Sequence, residues 1–209
     1  MARAVDTRDR ILVAAADLFA ARGYHGTPTR DIAHAVGVRQ PSLYSHFATK
    51  QLILAALLDA DLVPALDRID RALALDGPVA PRLHAWLHAD VDAILALPFD
   101  VRGLYDDAVL ATPELAEQAA RRARLHERTR RLVAAGVAAG EFDADPGFVG
   151  HAITGLTLEA VRERSTGAAP PGRGLAVADF VLRAVLADRA ALAAVRAAAD
   201  RLRPLLTAS

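Results

Sequence analysis

A short polar segment between residues 39 and 46 has the side-chain types and the spacing to hydrogen-bond to nucleic acid. Its members are Arg39, Gln40, Pro41, Ser42, Tyr44 and His46. Leu43 and Phe47 are four residues apart, so on a helix they share an inward face and leave the polar set outside. Arginine can bond guanine twice, glutamine can bond adenine twice, and proline or serine can contact a thymine methyl group or a base edge. Tyrosine and lysine more often bind phosphates and set the register.

A second short helix and a glycine turn before residue 39 are predicted to position that segment. Thr27 and Pro28 are start signals, because a threonine hydroxyl can cap free amides and proline suits the first helical position. Gly37 lies where helices often end in the left-handed conformation that glycine adopts at little cost. Three apolar residues at helical spacing form the buried side of this helix: Ile32, Ala33 and Val36.

This pair of helices resembles the helix-turn-helix of the tetracycline-repressor (TetR) family. The resemblance rests on Arg30, on the run Val38-Arg39-Gln40-Pro41-Ser42-Leu43-Tyr44-Ser45-His46-Phe47 and on Lys50, and it covers roughly the first quarter of the chain. In the family one helix precedes this segment and a long one follows it. Both helices are predicted here, the first from Asp6 or Thr7 to Gly23 and the later one from Thr49 toward Pro64.

Lys50 stands out by composition. Of the 25 basic residues it is the single lysine, so the chain otherwise uses arginine. The resemblance implies that this lysine begins the fourth helix and binds a DNA phosphate, a role suited to a compact charge on a flexible stem. An ordinary surface lysine is the alternative.

Composition limits the possible classes of protein. The 209 residues suffice for one or two domains, and the absence of cysteine excludes disulfides and cysteine-ligated metals. No apolar run has the length of a membrane span and no secretory signal is visible, so we expect a cytoplasmic protein without membrane contact. The formal net charge is zero, but residues 1–50 hold seven basic and four acidic side chains. We call residues 1–50 the head. Its small excess of positive charge is a modest electrostatic indication of DNA binding.

The whole chain is predicted to be all-α, because alanine and leucine dominate and proline and glycine mark the breaks. An N-terminal three-helix helix-turn-helix DNA-binding domain is expected at residues 1–50. A helical effector-binding and dimerisation domain is expected at residues 51–209. The helices predicted beyond the head are 49–74, 79–97, 102–111, 113–139, 146–165, 174–187 and 189–203.

The resemblance implies a homodimer, and two apolar stripes are candidates for its interface. They are Val149, Ile153, Leu156 and Ala160, followed by Val177, Phe180, Val181 and Ala184. The alternative is that both stripes pack into the core of a single chain. A dimer also suits the motif, since two reading helices about 34–36 Å apart reach successive major grooves of a near-palindromic DNA operator.

Roles on the DNA can be assigned as a hypothesis. Arg30, Gln40, Pro41 and Ser42 read bases. Phosphates are held by Thr29, Tyr44, His46 and Lys50. Arg39 can do either.

The small-molecule effector implied by the resemblance leaves only weak signals. Trp86, Phe99 and Tyr105 fall on helices that line the effector cavity in the family, and an apolar cavity with few polar groups is typical of such sites. The polar candidates are His84, His88, Asp106 and His126. We take Trp86, His88, Phe99, Tyr105 and His126 as the candidate ligand contacts. No cofactor or metal is expected, although His84 and His88 at i, i+4 can bind a metal if a third ligand comes from elsewhere.

A ligand-responsive transcriptional regulator is therefore the predicted function, with repression the commoner mode and release by a small molecule. The resemblance implies that the ligand tilts the long helix and changes the separation of the two heads. The alternative is a helical ligand-binding protein with a vestigial DNA-binding head. An enzyme is not expected, because no glycine-rich phosphate loop, nucleophile elbow or histidine–glutamate metal motif occurs in the sequence.

Overall fold

The computed structural model describes residues 6–167 and 171–207, and within these ranges helices supply the regular structure. The predicted all-α fold is confirmed. One isolated antiparallel bridge joins Phe142 to Leu186. No helix in the described ranges is long and apolar enough to cross a bilayer. The helices are α1 (Thr7–Arg22), α2 (Thr29–Ala35), α3 (Gln40–His46), α4 (Lys50–Ala74), α5 (Val79–Ala96), α6 (Asp107–Leu110), α7 (Ala116–Ala138), α8 (Pro146–Ser165), α9 (Arg173–Val185) and α10 (Leu192–Thr207), with 3₁₀ turns at Pro113–Leu115 and Arg189–Ala191.

The chain divides into two compact units. The first comprises the residues up to Leu62 together with Leu97–Ala120, and the second comprises Val63–Ala96 together with the residues from Arg121 onward. Helices α4 and α7 contribute residues to both units. A functional boundary at residue 50 stays a prediction.

Helices α1, α2 and α3 of the first unit form as the apolar pattern predicts. Helix α1 ends at Gly23 with φ 73°, and Gly37 turns the chain between α2 and α3 with φ 72°. Glycine suits both positions because a Cβ atom disfavours the left-handed region. The core of these helices consists of fully or almost fully buried side chains: Ile11, Ala15, Phe19, Ile32, Ala33, Leu43 and Phe47.

The predicted capping role of Thr27 is wrong. Helix α2 begins at Thr29, and Pro28 before it is extended rather than helical. The Thr27 side chain is fully buried, and its hydroxyl donates at 3.2 Å to the Leu18 carbonyl and 2.9 Å to the Gly23 carbonyl. Thr27 therefore closes the end of α1 by satisfying its last carbonyls.

The helix predicted at 102–111 is shorter than expected. Helix α6 starts at Asp107, because the Asp106 carboxylate accepts hydrogen bonds from the backbone N–H groups of Ala108 and Val109 and so caps it. Gly103 lies against α1, where a Cβ atom would collide with the backbone of Phe19. This close approach needs an irregular turn and a residue without a side chain.

The long helices also depart from the predictions in detail. Leu52 is 51% exposed, and the buried stripe of α4 follows Ile53, Leu54, Leu57 and Leu58. The helix predicted at 113–139 opens with a 3₁₀ turn, and α7 starts at Ala116. Asp145 caps α8 and accepts from the Phe148 N–H at 2.6 Å.

Most of the two apolar stripes on α8 and α9 belongs to the core of the second unit. Val149, Ile153, Ala160, Val177 and Val181 are buried within the single chain. Their burial reflects the packing of α5 against α8 and α9. Three large apolar side chains remain exposed on α8 and α9: Phe148 (74%), Leu158 (40%) and Phe180 (61%).

A carboxylate far along the chain caps helix α5. The two oxygens of Glu141 accept hydrogen bonds from the backbone N–H groups of Val79 and Ala80, each at 2.8 Å. The backbone of the same segment pairs with the end of α9, since the Ala187 N–H donates to the Glu141 carbonyl at 3.0 Å. One residue thus ties the start of α5 to the turn after α7 and the end of α9.

We expect Glu141→Ala to lower the free energy of unfolding by about 1.5–3 kcal/mol, because two buried N–H groups lose a charged acceptor. Chemical denaturation measures this change, and we expect the midpoint to fall while the m-value stays the same. Asp143→Ala is the matched control, since Asp143 is an exposed carboxylate two residues away. Equal stability of the two variants would show that the cap contributes nothing.

Candidate nucleic-acid interface

The polar segment of α3 is exposed, as the sequence predicts. Arg39, Gln40, Pro41, Ser42, Tyr44 and His46 all reach solvent. Leu43 is fully buried and Phe47 is 4% exposed, so these two side chains anchor α3 to the core. Arg30, on α2, is also exposed, and its Nε lies 3.4 Å from the Asp31 carboxylate. The first unit thus presents a continuous set of hydrogen-bonding groups beside a rigid apolar anchor.

Three of the predicted contacts bond to one another across the turn. The Gln40 amide nitrogen donates to the Thr29 hydroxyl at 3.0 Å, and the Tyr44 hydroxyl lies 3.1 Å from the same oxygen. Thr29 opens α2, whereas Gln40 and Tyr44 belong to α3. The network therefore fixes the outer faces of the two helices relative to each other.

Lys50 anchors the turn between α1 and α2. Its ammonium group donates to the backbone carbonyls of Tyr24 at 2.8 Å and Thr27 at 3.0 Å, and it lies 4.2 Å from the centroid of the Tyr24 ring. Partial burial lowers the pKa of Lys50. Two of its three N–H donors are used in this way, which leaves one to bind a phosphate. In the sequence, Lys50 stands out because it is the single lysine. Nothing in the sequence indicated that it bonds to the Tyr24 and Thr27 carbonyls.

Arg10 and Arg8 support this surface and were missed by sequence reasoning. The Arg10 guanidinium donates to the Val36 carbonyl at 2.6 Å, at the end of α2. Arg8 lies over the Phe47 ring at 4.8 Å from its centroid. Arg10 and Arg8 of α1 thereby hold the C-terminal ends of α2 and α3, respectively. These contacts are visible only in the folded structure.

Comparisons with known proteins agree with this geometry. The model of bacterial regulatory proteins of the tetR family matches residues 11–57. The crystal structure of Mycobacterium smegmatis AmtR is 37% identical, with a TM-score of 0.80, and the match covers 96% of this chain and 97% of that chain. The chain belongs to the tetR family.

Two curated relatives of this tetR-family chain are named as regulators with opposite effects on transcription. The transcriptional repressor KstR2 of Rhodococcus jostii is 30% identical over 141 residues, covering 66% of this chain and 69% of KstR2. The transcriptional activator FasR of Mycolicibacterium smegmatis is 29% identical over 113 residues, covering 54% of this chain. The match spans 52% of FasR, about half the length of that relative.

The predicted ligand contacts of the tetR-family chain fall in both compact units. Trp86, His88 and His126 belong to the second unit, and Phe99 and Tyr105 belong to the first. Trp86 is 2% exposed, and its indole N–H is buried without a hydrogen-bond partner. The Tyr105 hydroxyl donates to the Asp61 carboxylate. Their roles in binding stay predictions.

The histidine pair on α5 bonds to carboxylates. His84, fully buried, has its Nε2 3.0 Å from Asp179 Oδ1, and the Arg196 guanidinium lies 3.2 Å from the same oxygen. His88 Nε2 lies 3.2 Å from Asp92. Among the residues that the structure describes, no group of three or more His, Cys, Asp or Glu side chains is placed to hold a metal ion. His84 thus links α5 to Asp179 on α9 and Arg196 on α10, whereas His88 bonds within α5.

A cleft of about 610 Å³ opens in the second unit beside the Glu141 cap. Its walls are mostly apolar, and two carboxylates lie at its edge. The lining includes Pro81, Glu141, Leu186, Asp188, Ala191 and Val195. None of the predicted ligand contacts lines this cleft.

The stability of the second unit should fall as the pH drops below about 6.5, because burial, Arg122 and His151 lower the pKa of His126 from its ordinary value of 6.5. Below that pH the unfolded chain binds a proton at His126 before the folded chain does, so stability present above 6.5 is lost on acidification. His126→Gln should give a flatter curve of unfolding free energy between pH 7 and 5.

Denaturant midpoints measured across this range test the expectation, with His34→Gln as the control because His34 is exposed on α2. Parallel curves for wild type and His126→Gln would contradict it.

Proposed function

We propose that this chain is a ligand-responsive transcriptional regulator that binds a near-palindromic DNA operator as a homodimer. The carrying observation is the exposed hydrogen-bonding face of α3 beside the buried anchors Leu43 and Phe47. A helix held in this way can enter the major groove with its polar side chains against the base edges. Two relatives of this chain are named as transcriptional regulators, the repressor KstR2 and the activator FasR, and these names support the proposal.

Base reading is assigned to Arg30, Gln40, Pro41 and Ser42, with Arg39 able to read bases or bind phosphates. Thr29, Tyr44, His46 and Lys50 are assigned to the phosphates. All of these side chains except the half-buried Thr29 and Lys50 are exposed, which supports the assignment. The single N–H of Lys50 left by its two carbonyl partners suits a phosphate oxygen.

Repression with release by a small molecule is the proposed mode. KstR2 is named a repressor and FasR an activator, so the relatives' names do not by themselves decide between repression and activation. Trp86, His88 and His126 are proposed contacts of an effector with an apolar body and few polar groups, because their ring nitrogens are poorly satisfied or partly buried. Phe99 and Tyr105 stay predictions. A vestigial head is the competing function.

Dimerisation is proposed through the outer faces of α8 and α9. Phe148, Leu158 and Phe180 expose large apolar surfaces there, and such exposure is typical of interfaces. Gly150 and Gly155 on α8 have open space at their Cβ positions, so another helix can approach closely. A two-fold contact of these faces would supply the second reading head that a palindrome needs.

Fluorescence anisotropy tests DNA binding directly. The full-length protein is titrated onto DNA flanking its own coding region and onto a scrambled duplex, each at two salt concentrations. Selective binding that weakens with salt is expected, because basic side chains displace counterions from phosphates. If neither this DNA nor any duplex from a randomised pool is selected, the vestigial-head function is favoured.

Lys50→Ala should weaken binding to all DNA sequences alike and lower the slope of log K against log salt by about one, as the loss of one phosphate contact requires. Lys50→Arg is the matched control because it keeps the charge. A Lys50→Ala protein with the wild-type salt slope would assign Lys50 to anchoring Tyr24 and Thr27 alone.

Phe180→Glu should weaken the dimer by about 100-fold, since a charge replaces an aromatic side chain near the proposed contact. Sedimentation equilibrium of both proteins measures the change. Leu205→Glu is the control, because Leu205 is a 53% exposed apolar residue on α10. A dimer that resists Phe180→Glu but dissociates with Leu205→Glu would move the interface to α10.

A further inference from the structure

We propose that Thr29 is a positioning residue that fixes the side-chain amide of Gln40 for reading adenine. The inference rests on the proposed function and gives Thr29 a part in sequence selection in place of the phosphate contact assigned to it above, although it touches no base itself. The observation behind it is the pair of hydrogen bonds on the Thr29 hydroxyl, one from Gln40 and one shared with Tyr44.

The hydrogen-bonding capacity of Gln40 decides what it can read. A glutamine amide has two N–H donors and one carbonyl acceptor. One donor is used at 3.0 Å by the Thr29 oxygen. The outward edge of Gln40 is therefore left with one N–H donor and one carbonyl acceptor side by side.

That remaining pair matches one base in the major groove. Adenine presents an acceptor, N7, beside a donor, the N6 amino group, whereas guanine presents two acceptors, N7 and O6. Against guanine the Gln40 carbonyl would face another acceptor. Gln40 held by Thr29 thus favours an A·T pair.

Without Thr29 this selection weakens, because the Gln40 amide is exposed and can turn by half a rotation. The turn exchanges the positions of its donor and acceptor, so the outward pattern no longer has a fixed order. When the Thr29 hydroxyl donates to Tyr44, it has no hydrogen left for the Gln40 carbonyl, so only the nitrogen end of the amide can bond to the Thr29 oxygen and the exchange is prevented.

The position of Thr29 is itself held from below. Thr27, two residues earlier, buries its hydroxyl on the Leu18 and Gly23 carbonyls, and its own carbonyl accepts from Lys50. Pro28 then fixes the extended backbone that leads into α2. The Thr29 hydroxyl is thereby placed opposite α3 by the backbone rather than by a flexible loop.

Selection from a randomised duplex pool tests the inference with the full-length protein. Wild type, Thr29→Val, Thr29→Ser, Gln40→Ala and Thr112→Val are compared, and the base preference at every operator position is read by sequencing. Thr112→Val is the matched control, since its hydroxyl bonds only to the Val109 carbonyl in the described structure. Binding of the selected duplex is then measured at two salt concentrations.

Gln40→Ala should identify the position that Gln40 reads, where wild type prefers adenine by about 5- to 150-fold, the worth of a good two-bond contact. Thr29→Val should lower the preference at that same position by about fivefold or more. Thr29→Ser should keep it, because serine retains the hydroxyl. Thr112→Val should match wild type throughout.

A Thr29→Val protein that keeps the wild-type preference at that position overturns the inference, even if its affinity falls equally for every sequence, because a uniform loss is what a phosphate contact would give. A wild-type protein that selects no sequence rejects the proposed function, and this inference with it. The two failures are distinguished by the wild-type selection alone.

Discussion

The bond between the Lys50 ammonium and the turn after α1 is the interaction on which the candidate interface depends. A positive charge in the first turn of a helix is unfavourable, because it faces the positive end of the helix dipole, and α4 has no acidic residue there. The carbonyls of Tyr24 and Thr27 offset that cost. Through them, α4 holds the backbone from which α2 begins, and α2 places Thr29 opposite α3. These contacts link the half-buried ammonium group of Lys50 to the outermost polar atoms of the head.

Local signals in the sequence were sufficient for the helices of the head. Gly23 and Gly37 follow helix ends with a positive φ, and Leu43 and Phe47 mark the buried face of α3, because each of these effects acts within a few residues. Partners that are distant in sequence had no such signal. Thr27 looked like a cap for α2 but bonds back to α1. The exposed polar set was predictable, whereas the bonds that link its members across two helices were not.

Periodicity in the body predicted buried faces but not their partners. The stripes through Ile153 and Val177 repeat at helical spacing whether they pack within one chain or between two, and the structure assigns them to the core. Phe180 is an exception within the second stripe, and together with Phe148 it carries exposed apolar surface instead. Capping of α5 by Glu141 joins residues about sixty positions apart, and no local rule connects them. The glycine at position 103 also has no local explanation, because it is the backbone of α1 that leaves no room for a Cβ atom there.

The use of arginine at every basic position except one has a practical consequence. Apart from the amine that starts the chain, Lys50 carries the single primary amine of the protein. For reagents that couple to amines, such as activated esters for dyes, biotin or sensor surfaces, Lys50 in the first turn of α4 is therefore the one side-chain target, and coupling there would replace its hydrogen bonds to the backbone. Enzymatic tagging leaves that turn unaltered, whereas arginine-directed reagents would modify Arg30 and Arg39 on the candidate interface. The coupling chemistry therefore decides whether the head stays intact.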